Sequence, residues 1–188
     1  APFPPFRALH LEHHGHTNDR DRDPDVWVEA RSPLAVLLRC ATIMPHYYWT
    51  LAAGVRQGRA PYLRVWRSTL VGLAVLLSIA AGLVVAGFGW DILLLWVGPS
   101  VAAQTVLSLV FDWIPHHPHT GKGRFENTRA IDAPLLPFVT LGQSLPLVHH
   151  LYPRVPFYRY PAVFRELEEE LTRRRAPVVR WGSRRRAA

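Results

Sequence analysis

Two long stretches of this chain carry no charged side chain, and they constrain the fold more than any other feature. Ser68–Trp90 reads STLVGLAVLLSIAAGLVVAGFGW and Ile92–Phe111 reads ILLLWVGPSVAAQTVLSLVF. As helices they reach roughly 34 and 30 Å at 1.5 Å per residue, enough to cross a hydrocarbon core of about 30 Å. Asp91, flanked by Gly87, Gly89 and Trp90, reads as a tight polar turn between them. Two adjacent uncharged runs of this length are rare in water-soluble domains, so a transmembrane hairpin is expected rather than a buried one. Pro99 is tolerable in a membrane helix and implies a local kink.

The rest of the 188 residues is polar, with 22 Lys+Arg against 14 Asp+Glu and ten histidines over the whole chain. The length fits one domain, taken as 1–188. A disordered tail protein would lack such apolar runs. A disulfide scaffold is excluded because Cys40 has no partner in the chain. The sequence begins at Ala1, with a histidine motif starting at its tenth residue, and is expected to be N-terminally truncated.

Arginine gives the orientation. Arg56, Arg59, Arg64 and Arg67 precede the first span, Lys122, Arg124 and Arg129 follow the second, and the connecting turn has no Lys or Arg. Positive-inside bias puts both flanks, and with them every histidine, in the cytoplasm. The expected fold is all-α and integral to the membrane: a transmembrane helical hairpin, 68–90 and 92–111, under a cytoplasmic helical cap that carries the histidines. Ser32–Val55, interrupted by Arg39 and Pro45 and rich in aromatics, fits a helix lying on the membrane surface. Ala133–Val148, broken by three prolines, fits a short interfacial or re-entrant segment packed in protein. Tyr160–Arg175 fits an amphipathic helix, with apolar residues at 163, 164, 167 and 171. The basic tail, 176–188, is read as attracted to anionic lipid heads rather than to nucleic acid.

The histidines fall into three clusters: His10-Leu-Glu-His13-His14-Gly-His16, Asp112-Trp-Ile-Pro-His116-His117-Pro-His119, and His149-His150. On a helix, i, i+3 and i+4 share a face, so His10, His13 and His14 can point into one site. Adjacent histidines lie about 100° of helix rotation apart and can serve two metals, or one metal and a supporting contact. A single zinc site needs three or four ligands, and this chain offers twice that, which points to two metals. His46, alone, reads as structural. The absence of HExxH gives membrane zinc proteolysis little support.

HLEHHGHTND followed by DPD, then FDWIPHHPH, then GQSLPLVHHLYPRVPFYRYP, resembles the membrane fatty acid desaturase superfamily over nearly the whole chain. The pattern looks most like its β-carotene-hydroxylase-like branch. The resemblance implies an enzyme with two non-haem iron ions. It would use O2 to desaturate or hydroxylate a membrane lipid such as a fatty acyl chain or a carotenoid. It implies His10, His13 and His14 as iron ligands from the second histidine box, and His149 and His150 from the third. His116, with Asp112 four residues earlier, is the candidate for a further ligand, and His117 and His119 are weaker candidates. Asp23-Pro24-Asp25 reads as a turn and helix cap.

Two departures stand out. The first histidine box, HxxxH, is absent, and the third has Pro146 where the pattern requires histidine. Proline cannot ligate iron and lacks a backbone N–H. Gln143 and Ser144 are the nearest substitutes. Six secure histidine matches fall short of the ligand set that the resemblance implies, so the chain as given is expected not to hold both irons. It is expected to be inactive, as a fragment of an active parent, or else a degenerate, non-catalytic member of the fold without a complete metal site. A zinc-dependent membrane hydrolase is a third reading. Electrons would come from a separate ferredoxin-like carrier docking on the Arg-rich face. The expected location is a bacterial inner membrane, with both chain ends cytoplasmic.

Overall fold

A computed structural model describes residues 3–181. The amino-terminal helix α1 (Phe3–His16) leads through a short 3-10 turn (Pro24–Val28) to α2 (Pro33–Ala41) and α3 (Ile43–Arg56). Two long helices follow, α4 (Ala60–Val85) and α5 (Gly89–His116). The remainder forms short elements: β1 (Ala130–Asp132), α6 (Leu136–Val139), α7 (Pro146–Leu151), α8 (Tyr160–Glu166), α9 (Glu168–Arg173) and β2 (Val178–Arg180).

The hairpin is shifted from the expected limits. Helix α4 starts eight residues earlier, with Pro61 in its first turn, and stops at Val85. The stop is a Schellman turn: Gly87 takes φ +93°, and the Phe88 N–H donates to the Leu83 carbonyl at 2.9 Å. The turn therefore lies at Ala86–Phe88, and Asp91 sits instead in the first turn of α5, where the helix dipole favours a carboxylate. Pro99 is accommodated by a π-helical stretch, Ile92–Val97, directly before it, and Pro115 by a second, Leu109–Trp113. Each widened turn absorbs the missing proline N–H and the ring's clash with the preceding turn.

Only 6% of the apolar window of each long helix is buried. Val85, Trp90, Leu94 and Leu95 are among the most exposed side chains of the molecule. A soluble core helix would be covered, so this apolar surface is what lipid contact requires.

Ser32–Val55 forms two helices rather than one. Pro45 has no N–H to offer the carbonyl of Ala41 four residues earlier, and the helix breaks at Thr42. The freed Ala41 carbonyl instead accepts from Gln104 Nε2 of α5 at 2.8 Å, which ties α2 to the second span. Helices α1 and α3 pack on α4, around a core of Leu9, Val28, Val36, Cys40, Ile43, Tyr47, Leu51 and Tyr62.

A second core joins Leu145, Leu147, Val148 and Leu151 to Tyr160, Phe164 and Leu171. Tyr160–Arg175 is broken at Leu167 but keeps the expected apolar face toward this core. Ala133–Val148 contains α6, whose neighbours Leu135, Phe138 and Leu141 are exposed, before the chain turns inward at Leu145. The all-α expectation is corrected by one small parallel sheet, which pairs Ile131 with Val179. It gives partners to the backbone of Ala130, a fully buried residue, whose N–H reaches the Pro177 carbonyl at 3.0 Å. Of the basic tail, residues 182–188 lie outside the described residues.

Candidate metal centre

Six of the seven histidines singled out as ligands converge in two groups of three. His10, His14 and His149 form one, and His13, His116 and His150 the other. In the first, the Nε2 atoms stand 2.9 Å (His14–His149), 3.1 Å (His14–His10) and 3.2 Å (His10–His149) apart. In the second, His13 and His150 face each other through Nε2 at 3.3 Å, and the His116 ring lies 4.8 and 5.1 Å from theirs. Within each pair of adjacent histidines the two rings serve different groups, because neighbours on a helix diverge by about 100°.

The groups come from three places in the fold. Helix α1 supplies His10, His13 and His14 from one face. Its orientation is set by Glu12, almost fully buried, which pairs with Arg59 at the start of α4. Helix α5 supplies His116 from its last turn, and α7 supplies His149 and His150. Pro146 occupies the first turn of α7, where a missing N–H costs nothing.

The outer nitrogens of three of the six rings are held, while that of His150 is buried without a partner. His149 Nδ1 lies 2.8 Å from the Tyr160 hydroxyl, and His116 Nδ1 lies 2.9 Å from the Asn127 carbonyl. His13 Nδ1 lies 2.9 Å from Asp23 Oδ1 and 3.3 Å from Asp25 Oδ2. The Tyr47 hydroxyl in turn donates to Asp25 at 2.7 Å. A ring whose Nδ1–H is engaged turns its Nε2 lone pair inward, which is how ligating histidines are oriented.

Charge follows the same division. Burial, with His149 and His13 nearby, pushes His10 down to about 4. Burial and the neighbouring His10 push His14 down to about 3, and burial also lowers His149 and His150. These rings are neutral at pH 7, as ligands must be. For His13, burial opposes the charge, but Asp25 and Asp23 outweigh it and raise the ring to about 9. A cation at its Nε2 would take over the charge that a proton otherwise supplies.

Three imidazole nitrogens aimed at a common point, twice over, therefore fit a pair of transition-metal ions. The donor set would be His10, His14 and His149 for one ion, and His13, His116 and His150 for the other.

His117 is the exception among the candidates. The chain leaves the helix at this residue with ψ 131°, so the ring turns outward and stacks on Trp113 at 4.7 Å. His119 is buried, but its ring lies 6.2 Å from that of His116, outside both groups. His116, the candidate with Asp112 four residues earlier, joins the second group; the Asn127 carbonyl lies against its Nδ1, and Asp112 lines the cavity beside it. Asp23 caps the 3-10 turn as expected, accepting from the Asp25 N–H at 2.9 Å. Its second role, against His13, has no local sequence signal. Tyr160 and Asn127 were likewise invisible from sequence, since each reaches its histidine from more than ten residues away.

A cavity of about 600 Å³ opens onto the centre. It is lined by His10, His13, His116, His149 and His150, by the apolar Phe6, Leu9, Ile43, Met44, Leu107 and Phe111, and by polar side chains that include Gln104, Asp112 and Gln143. Leu107 and Phe111 belong to α5, so the cavity lies against the hairpin of long apolar helices.

No curated protein and no solved structure matches the chain. The family profile described as Fatty acid desaturase matches residues 1–182. The match takes in all three histidine clusters and both long apolar helices, and the chain belongs to the fatty acid desaturase family.

Proposed function

We propose that this protein carries the metal centre of a membrane lipid oxidase. In this reading the two histidine groups hold two non-haem irons, and the enzyme uses O2 to desaturate or hydroxylate a long apolar substrate. The observation that carries it is the joining of two inward-facing histidine groups to an apolar cavity beside membrane-crossing helices. When bound, the irons supply O2 activation and removal of hydrogen from an unactivated C–H bond. The chain's own residues do the rest. Phe6, Met44, Leu107 and Phe111 hold an alkyl chain and exclude water, while Asp23, Asp25 and Tyr160 fix the rings that set the position of attack.

The DWIPHHPH and VHHLYPRVPFYRY segments favour the carotenoid-hydroxylase-like branch, with an acyl chain as the other substrate class. Positive-inside bias places the centre on the cytoplasmic side. Electrons come from a separate acidic carrier, a ferredoxin or similar protein, docking on the face that exposes Arg154, Arg159 and Arg165. Reversing those three charges lowers turnover at low salt; unchanged turnover rejects the docking face.

The test is turnover in membranes supplied with a reductase and ferredoxin, with fatty acyl lipid and β-carotene in parallel. An O2-dependent unsaturated or hydroxylated product, lost in His14→Ala, supports the reading. Pro146 favours a second one, a non-catalytic member of the family. Protein that binds no full complement of iron and gives no product selects that second reading, and product gained on Pro146→His assigns the loss to Pro146.

A further inference from the structure

A second cleft, of about 390 Å³, opens behind His116 where the chain leaves α5. Its wall carries Arg129, Arg174 and Arg175, with His117 and Thr120, against a single carboxylate, Glu126. Arg174 is partly committed: its Nε lies 2.8 Å from Glu170 Oε1, and its guanidinium sits over the Phe125 ring. Ion pairs at this end of the chain join Arg173, Arg174 and Arg180 to Glu170, Glu168 and Asp132. Among the described residues they leave Arg129 and Arg175 without a carboxylate partner.

Arg175 adds a backbone observation. It has φ +53° in the turn after α9, closed by the Ala176 N–H on the Leu171 carbonyl at 2.9 Å. Glycine is the ordinary residue at such a left-handed position, and an arginine there carries a conformational cost. None of these arginines takes part in the histidine groups.

We propose that this cleft binds a phosphate group, and that the phosphate belongs to the headgroup of an anionic membrane phospholipid. Guanidinium groups present paired N–H donors that match phosphate oxygens, which makes arginine the side chain suited to this ligand. The cleft borders the last turn of a helix long and apolar enough to cross a membrane, so it stands at headgroup level, where basic pockets recruit anionic lipid. Free phosphate is the other source of the same chemistry. The cleft and the cavity at the metal centre meet at His116 and share no other lining residue. The proposal rests on the membrane reading and not on the metal.

The experiment is native mass spectrometry of the full chain in detergent, counting retained phosphatidylglycerol against phosphatidylcholine. Arg129 also donates to the His117 carbonyl at the helix end, so its loss can disturb folding. Arg175→Gly removes a guanidinium while suiting the left-handed backbone, and is the decisive variant. It lowers phosphatidylglycerol retention at least about tenfold, as the loss of a charge-assisted contact implies. Phosphatidylcholine retention stays the same, and Arg64→Gln, on the exposed side of α4, behaves as wild type. Unchanged phosphatidylglycerol retention in Arg175→Gly overturns the site, as does an equal loss in Arg64→Gln. Complete displacement of the lipid by millimolar inorganic phosphate overturns the lipid assignment in favour of free phosphate. The readout needs no bound iron, so its failure leaves the metal-centre reading standing.

Discussion

His14 and His149 face each other through their Nε2 atoms at 2.9 Å, and His10 Nε2 completes a triangle with both. Neutral imidazole has one N–H and one lone pair. His149 has its other nitrogen against the Tyr160 hydroxyl, and three mutually facing nitrogens cannot all be satisfied by the protons available. A cation at the middle satisfies all three lone pairs at once, which is the physical reason for reading the triangle as a metal site.

The partners on the outer nitrogens give a prediction that separates the two groups. Tyr160→Phe frees the ring of His149, and Asp23→Asn weakens the hold on His13. Each is expected to reduce metal affinity about 10–100-fold at its own group and to leave the other unchanged. Chelator competition on the purified protein, resolved into two binding steps, checks this. Equal weakening of both steps by both variants would show that the groups do not act separately.

Acid should destabilise the metal-free protein. His10 and His14 are lowered from 6.5 to about 4 and about 3 in the folded chain. The unfolded chain therefore takes up protons first as the pH falls, and stability declines from about pH 6.5 to about pH 3. His13 acts in the opposite sense: raised to about 9, it contributes stability that is complete below 6.5 and lost as the pH rises through 9. A Tm profile of chelator-treated protein should fall on both sides of a maximum. A flat profile between pH 4 and 6.5 contradicts the burial of neutral rings.

Gly54 is where α3 meets α4. A Cβ added there would lie 1.8 Å from Tyr62 Cδ2, a ring that is fully buried. Gly54→Ala should cost about 1–3 kcal/mol through overpacking. Pairing it with Tyr62→Ala should return part of that cost, as a double-mutant cycle on thermal unfolding would show. An additive pair of effects would mean that the two residues do not touch.

Met44 lines the cavity and belongs to neither histidine group. Met44→Trp should fill part of the cavity and lower turnover of long-chain substrates more than tenfold, about what the loss of 1.4 kcal/mol in productive binding gives. Metal content should stay at the wild-type level. Unaltered turnover places the substrate elsewhere.

The histidine groups and the hairpin were legible because both rest on local periodicity. His10, His13 and His14 share a face by helical spacing alone, and two uncharged runs of span length leave few alternatives. What stayed hidden depends on contacts distant in sequence. The partition of six histidines into two groups needed α1, α5 and α7 assembled together. The break at Thr42 follows from Pro45, but its compensation by Gln104 comes from another helix. The pairing of Ile131 with Val179 joins segments too short to carry a strand pattern.

Metal analysis of the purified full chain, with element and stoichiometry read together, tests the central claim most directly. The account predicts two irons per chain, one per histidine group, with His149→Ala and His150→Ala each losing one of them. Zinc in place of iron, or a single metal that survives both substitutions, would contradict it.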